Sequence, residues 1–234
     1  ACLHGKLHLF HLGTPRGPRP SLPFSVLDVS QQIKPLYDFV FIKCSGSLVA
    51  VAGGNSRSDL CVCIFDSLLV EATGFRHSFK CHMDAAASCL VYISRTDVLI
   101  SGGTKGKLFS YDLKMMKDGG FVSHSQNPNH RVDTLAYDEH AHIIASAGLD
   151  GDVRLWTADL PLHPLQKLPG ICGAKSVSRH PANPGIFSSF AVTAIAFRGG
   201  NLYVCTADGS VVVFSRRDAL EAFDPVERQD LEGS

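Results

Sequence analysis

The sequence predicts an all-β fold built of repeated blades, a β-propeller segment of four fairly complete blades and one partial blade at the N-terminus. Three observations carry this: a recurrent motif, strand-like runs ahead of it, and insertions that account for its uneven spacing. Five stretches place a glycine or polar turn before alternating apolar residues that end on an aromatic: HGKLHLF (4–10), SDLCVCIF (58–65), TKGKLFSY (104–111), LDGDVRLW (149–156) and ADGSVVVF (207–214). Their closing aromatics, Phe10, Phe65, Tyr111, Trp156 and Phe214, are 55, 46, 45 and 58 residues apart. Such a period marks a repeat architecture in which each unit is one small sheet.

Each of the last four copies follows two strand-like runs. The first runs are 36–42, 88–93, 132–137 and 192–197, and the second are 47–53, 97–103, 142–148 and 201–207. Outer strands are expected to be shorter or more polar because they are sheet edges. The candidates are FSVLDV (24–29), RHSFKC (76–81) and GGFVS (119–123). Residues 13–23 and 158–190, rich in Pro and Gly or in Pro, read as insertions within a propeller of residues 1–217. The charged stretch 218–234 reads as a tail that starts as a short helix.

Composition narrows the function classes. Lys plus Arg and Asp plus Glu both number 22, so no bulk electrostatic attraction favours nucleic acid or an anionic membrane, and partner choice must be local. Hydrophobic residues make up 45% of the chain, enough for a packed core. No apolar run approaches the ~18 residues of a membrane span. The eight cysteines show no Cys-x-x-Cys spacing, so they read as buried reduced thiols in a reducing compartment, with no metal site and no cofactor. Gly53-Gly54, Gly102-Gly103 and Gly199-Gly200 lack a following Gly-Lys-Ser/Thr and read as turns. His77, His82 and Asp84 with Ser78 or Ser88 lack a nucleophile elbow, so no catalytic set is expected and the chain reads as a non-enzyme. Lys105, Lys107, Lys114 and Lys117 form a basic strip without interleaved aromatics, which fits a solvated blade edge better than nucleic-acid binding.

Over residues 1–215 the repeat resembles the WD repeat, whose blades are pinned by a turn Asp reaching a His ahead of the first strand, with a Ser or Thr and a Trp completing the network. That resemblance implies structural roles for Ser146, Asp150 and Trp156, for Thr206 and Asp208 with Phe214, and for His82. Arg57, Lys105, Asp150 and Asp208 lie in or beside equivalent turns, which blade geometry gathers on one face, a candidate partner-binding face of mixed charge.

Two stretches are more specific. YDFVFIKCSGSLVAVAGGNSRSDLCVCIFDSLL (37–69) and FKCHMDAAASCLVYISRTDVLISGGTKGKLFSYDL (79–113) resemble the C-terminal propeller region of the rabconnectin/DmX-like family. The resemblance rests on Asp38-Phe39, on the Cys-Ile-Phe-Asp-Ser-Leu-Leu stretch (63–69), and on Cys81-His82 followed by Leu-Ile-Ser-Gly-Gly-x-Lys-Gly (99–106). It implies a very large cytoplasmic scaffold, peripheral on endosomal, vesicular or vacuolar membranes, that promotes assembly of the vacuolar proton-pumping ATPase. Its partners are then soluble subunits of that pump and of the assembly complex, and its membrane contact is indirect.

A WD-repeat adaptor in another complex, such as one of trafficking or ubiquitin ligation, is the alternative, since one fold hosts many functions. Because 4–10 reads as a third strand and no fourth strand is evident after Phe214, the ring is expected to be open, with about two more blades ahead of Ala1. The rival expectation is that the N-terminal strands supply the last unit's missing strand and close a small ring.

Overall fold

Runs such as Leu48–Gly53 and Val98–Gly103 are short, apolar and flanked by turn residues, the pattern of strands covered on both faces. The computed structural model describes residues 2–3, 6–10, 25–42, 46–54, 61–69, 74–79, 86–123, 131–168, 191–216 and 223–230. Every regular element among them is a strand. In chain order these are β1 (Cys2–Leu3), β2 (Lys6–Leu9), β3 (Ser25–Asp28), β4 (Leu36–Phe41), β5 (Leu48–Gly53), β6 (Val62–Asp66) and β7 (Phe75–Phe79). There follow β8 (Ala87–Ile93), β9 (Val98–Gly103), β10 (Lys107–Asp112), β11 (Lys117–Ser123), β12 (Val132–Asp138), β13 (Ile143–Gly148), β14 (Val153–Thr157), β15 (Pro164–Leu168), β16 (Val192–Arg198), β17 (Asn201–Thr206), β18 (Ser210–Arg216) and β19 (Phe223–Asp230).

These strands form one three-stranded sheet, β1-β2-β3, and four four-stranded antiparallel sheets, β4 to β7, β8 to β11, β12 to β15 and β16 to β19, each in sequence order. The repeated meander is the propeller blade. Neighbouring blades touch through their first strands, β4 on β8, β8 on β12 and β12 on β16. Apolar clusters fill the spaces between successive blades. Leu7, Leu27 and Ile33 meet Val49, Val51, Cys63 and Phe65; Ile64 and Phe79 meet Leu90, Leu99 and Tyr111; Ile100 and Leu108 meet Val132, Ile144 and Trp156; Leu155 and Leu168 meet Ile195, Leu202 and Phe214. A fully buried Leu or Ile contributes about 1.5–3 kcal/mol, so these four seams dominate the stability of the arc.

Every full blade also repeats the same two irregularities. The first and second strands slip register after their opening residue, between Leu36 and Asp38, Ala87 and Cys89, Val132 and Thr134, and Val192 and Ala194. The third and fourth strands slip just before the closing aromatic, at Phe65, Tyr111, Trp156 and Phe214. A bulge increases local twist and makes the outer edge a poor template for further pairing.

The first slip has a bonding consequence, because the innermost strand is a sheet edge whose outward N–H groups need acceptors. Asp38 Oδ2 accepts the Leu90 N–H of the next blade at 2.7 Å. Two blades on, Thr134 Oγ1 accepts the Ile195 N–H at 3.4 Å from the same register position.

Two expectations need correction. Residues 158–190 are not simply an insertion, since Pro164–Leu168 is β15, the fourth strand of its blade. Nor is 218–234 wholly a tail outside the propeller: Phe223–Asp230 is β19, antiparallel on β18 from Ser210↔Asp230 to Arg216↔Phe223, while the short helix expected at the start of the stretch falls outside the described residues. Edge strands pair through the main chain and tolerate polar sequence, and Pro225 sits at the register slip, where a missing donor does least harm. At the other end β1 pairs with Leu7 and Lys6 of β2, so the partial blade holds part of a second strand as well as a third and a fourth.

Candidate protein-interaction surface

The turns between second and third strands lie beside the start of the first strand, because Leu36 pairs with Gly53, Val132 with Gly148 and Val192 with Thr206. One backbone bond fastens this junction in four blades: Gly54 N–H to Pro35 O at 3.0 Å, Thr104 to Ala86 at 3.0 Å, Leu149 to Arg131 at 3.1 Å and Ala207 to Ala191 at 2.8 Å. The approach is so close at Gly148 that a Cβ there would stand 2.0 Å from Arg131 O. Glycine is the residue that fits.

Inside the blade, the Trp156 indole N–H donates to Ser146 Oγ at 2.7 Å, with both residues buried. The neighbouring blade places Ser101 and Tyr111 at the same register positions, their hydroxyls 2.8 Å apart. In the other two full blades the equivalent pairs are Val51 with Phe65 and Val204 with Phe214, all buried. The polar pair and the apolar pair thus alternate as units: a hydroxyl stands opposite an aromatic that can hydrogen-bond, and a valine opposite one that cannot.

Thr206, expected to partner Phe214, stands two positions further along, in register with Gly148. Its Oγ1 instead donates to Asp208 Oδ1 at 2.5 Å, and Asp208 Oδ1 also accepts the Ser210 N–H at 3.0 Å. Asp208 therefore closes its own turn.

Asp150 is held in the same way: Oδ1 accepts the Asp152 N–H at 3.2 Å, and Oδ2 takes Arg154 Nη1 at 2.9 Å. Arg154 reaches Asp152 as well, at 3.0 Å, and Lys167 on β15 adds a contact to Asp152 at 2.7 Å. The Asp150 side chain is only 4% exposed, so its carboxylate braces the blade and is not offered to a partner. Of the four residues assigned to the candidate face, Lys105 and Asp208 are exposed there, while Arg57 lies outside the described residues, as does His82.

Two blades meet at the same end through side chains that sequence reading did not single out. Arg131, just ahead of β12, stacks its guanidinium 5.3 Å from the ring centroid of Tyr37 on β4 and pairs with Asp133. Tyr37 is 44% exposed, so an aromatic and a cation face solvent together near the inner strands. No local pattern marks them, since 94 positions separate Tyr37 from Arg131 and only the blade arrangement joins them. Burial pushes the Asp133 carboxyl up, with Arg131 opposing, and pushes the Asp38 carboxyl up against the two backbone N–H bonds it accepts.

Nothing in these groups resembles a reactive centre. Burial, with Cys61 nearby, pushes the Cys63 thiol up to about 12, and burial also raises Cys89, so both are protonated at neutral pH and poor as ligands or nucleophiles. Cys61 and Cys63, two positions apart in sequence, pack in different seams, because Cys61 precedes β6 and turns away from Cys63. Among the described residues no three His, Cys, Asp or Glu side chains gather as a metal site.

Comparison with known proteins agrees with this architecture. No family model matches the chain. It is 27% identical over 216 residues to human (Homo sapiens) DmX-like protein 1, covering 90% of this chain and 6% of that protein. To the mouse (Mus musculus) protein of the same name it is 26% identical over 216 residues, covering 90% of this chain and 7% of that one. The chain therefore spans only a small part of these curated relatives. A WD-repeat propeller chain in the crystal structure of the mitotic checkpoint complex matches with a TM-score of 0.59 at 16% identity, over 87% of this chain and 52% of that chain, a likeness of fold alone. The chain has the fold of a WD-repeat propeller and is similar to DmX-like protein 1.

Proposed function

We propose that this propeller segment is a non-enzymatic protein-docking part of a larger scaffold that promotes assembly of the vacuolar proton-pumping ATPase. The observation that carries the proposal is the similarity to DmX-like protein 1 along 90% of the chain, together with the 37–113 motifs that resemble the rabconnectin/DmX-like family. The fold is a platform for protein contacts: rigid blades present turns and rims, and the buried polar groups described above brace strands. The partners in this reading are soluble subunits of the pump and of its assembly complex, reached from the cytoplasmic side, with the scaffold peripheral on endosomal, vesicular or vacuolar membranes. Affinity capture of the intact polypeptide, under conditions that assemble and that disassemble the pump, tests this. Co-capture of soluble pump subunits in at least one condition is expected. Their clean absence in both would refute the assignment while leaving the fold untouched.

A further inference from the structure

The rim of the β8–β11 blade presents a continuous feature that no blade-bracing role explains. Strand β11 is the outermost of its sheet and, among the described residues, pairs only with β10. At one end Phe121, 57% exposed, packs its ring on Phe109 with centroids 5.3 Å apart, and the Lys107 ammonium stands 4.6 Å from the Phe121 ring centroid. Five to six residues back along the chain, or about 17–20 Å at strand rise, the turn into β11 exposes Met115 and Met116.

Between these apolar stations lie Gly119 and Gly120, exposed and bare of side chains, at the β-bulge of the strand. The following blade brings Leu160 alongside, 3.4 Å from where a Gly119 Cβ would stand, and Leu160 is itself 38% exposed. Leu108, Ser110, Val122 and Leu162 complete a shallow, open depression of about 20 Å³. Two hydrophobic stations joined by an unobstructed backbone track suit an extended chain, which could pair with the free edge as it crosses.

Charge selects the chain. Exposed Lys107 flanks one station, and exposed Lys114 and Lys117 flank the other. Among the described residues no ion pair engages them. Of the nearby acids, Asp112 spends Oδ1 on the N–H groups of Lys114 and Met115, at 2.9 and 3.0 Å, leaving Asp118 as the other carboxylate on the strand. The Phe109 and Phe121 rings and the two methionines offer apolar contact without a row of aromatic platforms, which favours a peptide over a single nucleic-acid strand.

We infer that this rim docks an extended acidic segment of a partner protein, with carboxylates over Lys107, Lys114 and Lys117 and one large apolar side chain against Phe121 and Leu160. The inference rests on the chain being a protein-docking surface and is independent of which complex it serves.

The test is fluorescence anisotropy on the intact polypeptide with a labelled ten-residue peptide, four aspartates or glutamates on each side of a Leu-Phe pair, and a control with lysines in place of the acids. Saturable binding at least about tenfold tighter for the acidic peptide is expected, with Phe121→Ser or Leu160→Ser lowering its affinity about tenfold, the scale of a central contact residue. The triple change Lys107→Glu, Lys114→Glu, Lys117→Glu reverses the preference toward the lysine peptide, a readout that loss of folding cannot mimic. Equal binding of both peptides, an acidic preference that survives the triple change, or tighter binding of a ten-nucleotide single strand overturns the inference. Failure here together with successful capture of pump subunits would move the docking site elsewhere and leave the proposed function standing.

Discussion

Replacing Trp156 by Phe removes the indole N–H that reaches Ser146 Oγ at 2.7 Å while keeping an aromatic ring in the seam. The lost hydrogen bond costs about 1 kcal/mol, and a buried hydroxyl left poorly satisfied costs about 1–3 kcal/mol more. Ser146 Oγ also approaches Arg154 O at 3.5 Å, so the smaller part of that range applies. The smaller ring leaves a void worth about 1 kcal/mol. The single variant is therefore expected to lose about 3–4 kcal/mol.

The other blades supply the repair, because Val51 with Phe65 and Val204 with Phe214 fill the same two positions with no polar atom. Adding Ser146→Val to Trp156→Phe replaces the buried hydroxyl by an apolar group and fills part of the void, so the double variant is expected to recover about 1–2 kcal/mol, within the range measured for contacting residues. Trp156 is the only tryptophan in the chain, which removes intrinsic fluorescence as a common probe. Urea unfolding of wild type, both single variants and the double variant, followed by far-ultraviolet circular dichroism, gives the coupling energy directly. A coupling below about 0.5 kcal/mol, the usual additivity error, would show that the hydroxyl and the indole are not acting as a pair.

Further outcomes are expected. Gly148→Ala drives a Cβ into the Arg131 carbonyl and is expected to cost at least about 1–3 kcal/mol by overpacking, read as a lower urea midpoint; an unchanged midpoint would contradict the close junction. Burial pushes the folded Asp38 carboxyl above the ordinary aspartate range, so the folded state binds the proton more tightly than the unfolded one. Its contribution is then fully present below the unfolded pKa and is lost as pH rises through the folded one, and Asp38→Asn should flatten this fall in melting temperature; a stability that instead rises more steeply in the variant would refute it. Asp150→Asn is expected to lower the urea midpoint by loosening Arg154 yet leave peptide binding at the β11 rim within twofold, and a specific loss of binding without loss of stability would place Asp150 in a docking role.

The alternating runs were legible because inner, second and third strands are buried on regular faces, where hydrophobic period reports geometry. The outer strands were harder. β15 begins at a proline inside a proline-rich stretch, and β19 is charged, since an edge strand is held by main-chain bonds that composition does not reveal. The Ser101–Tyr111 pair did leave a signal, for Leu-Ile-Ser-Gly-Gly and Ile-Ala-Ser-Ala-Gly place their serines alike. Thr206 misled because a Thr close to an Asp turn looks like the network residue, and only strand register shows it displaced by two. Arg131 against Tyr37 had no sequence signal at all, because that contact exists only after blades pack.

The four interblade seams also set how disturbance spreads. Among the described residues, the sheets β4–β7, β8–β11 and β12–β15 each share a seam on two sides, whereas β1–β3 and β16–β19 share one. Such a chain of nearest-neighbour couplings gives a gradient of opening free energy, lowest at its ends. Amide exchange should accordingly be slower in β5, β9 and β13 than in β2 and β17, and a partner that lies across one seam would slow exchange on both blades flanking it.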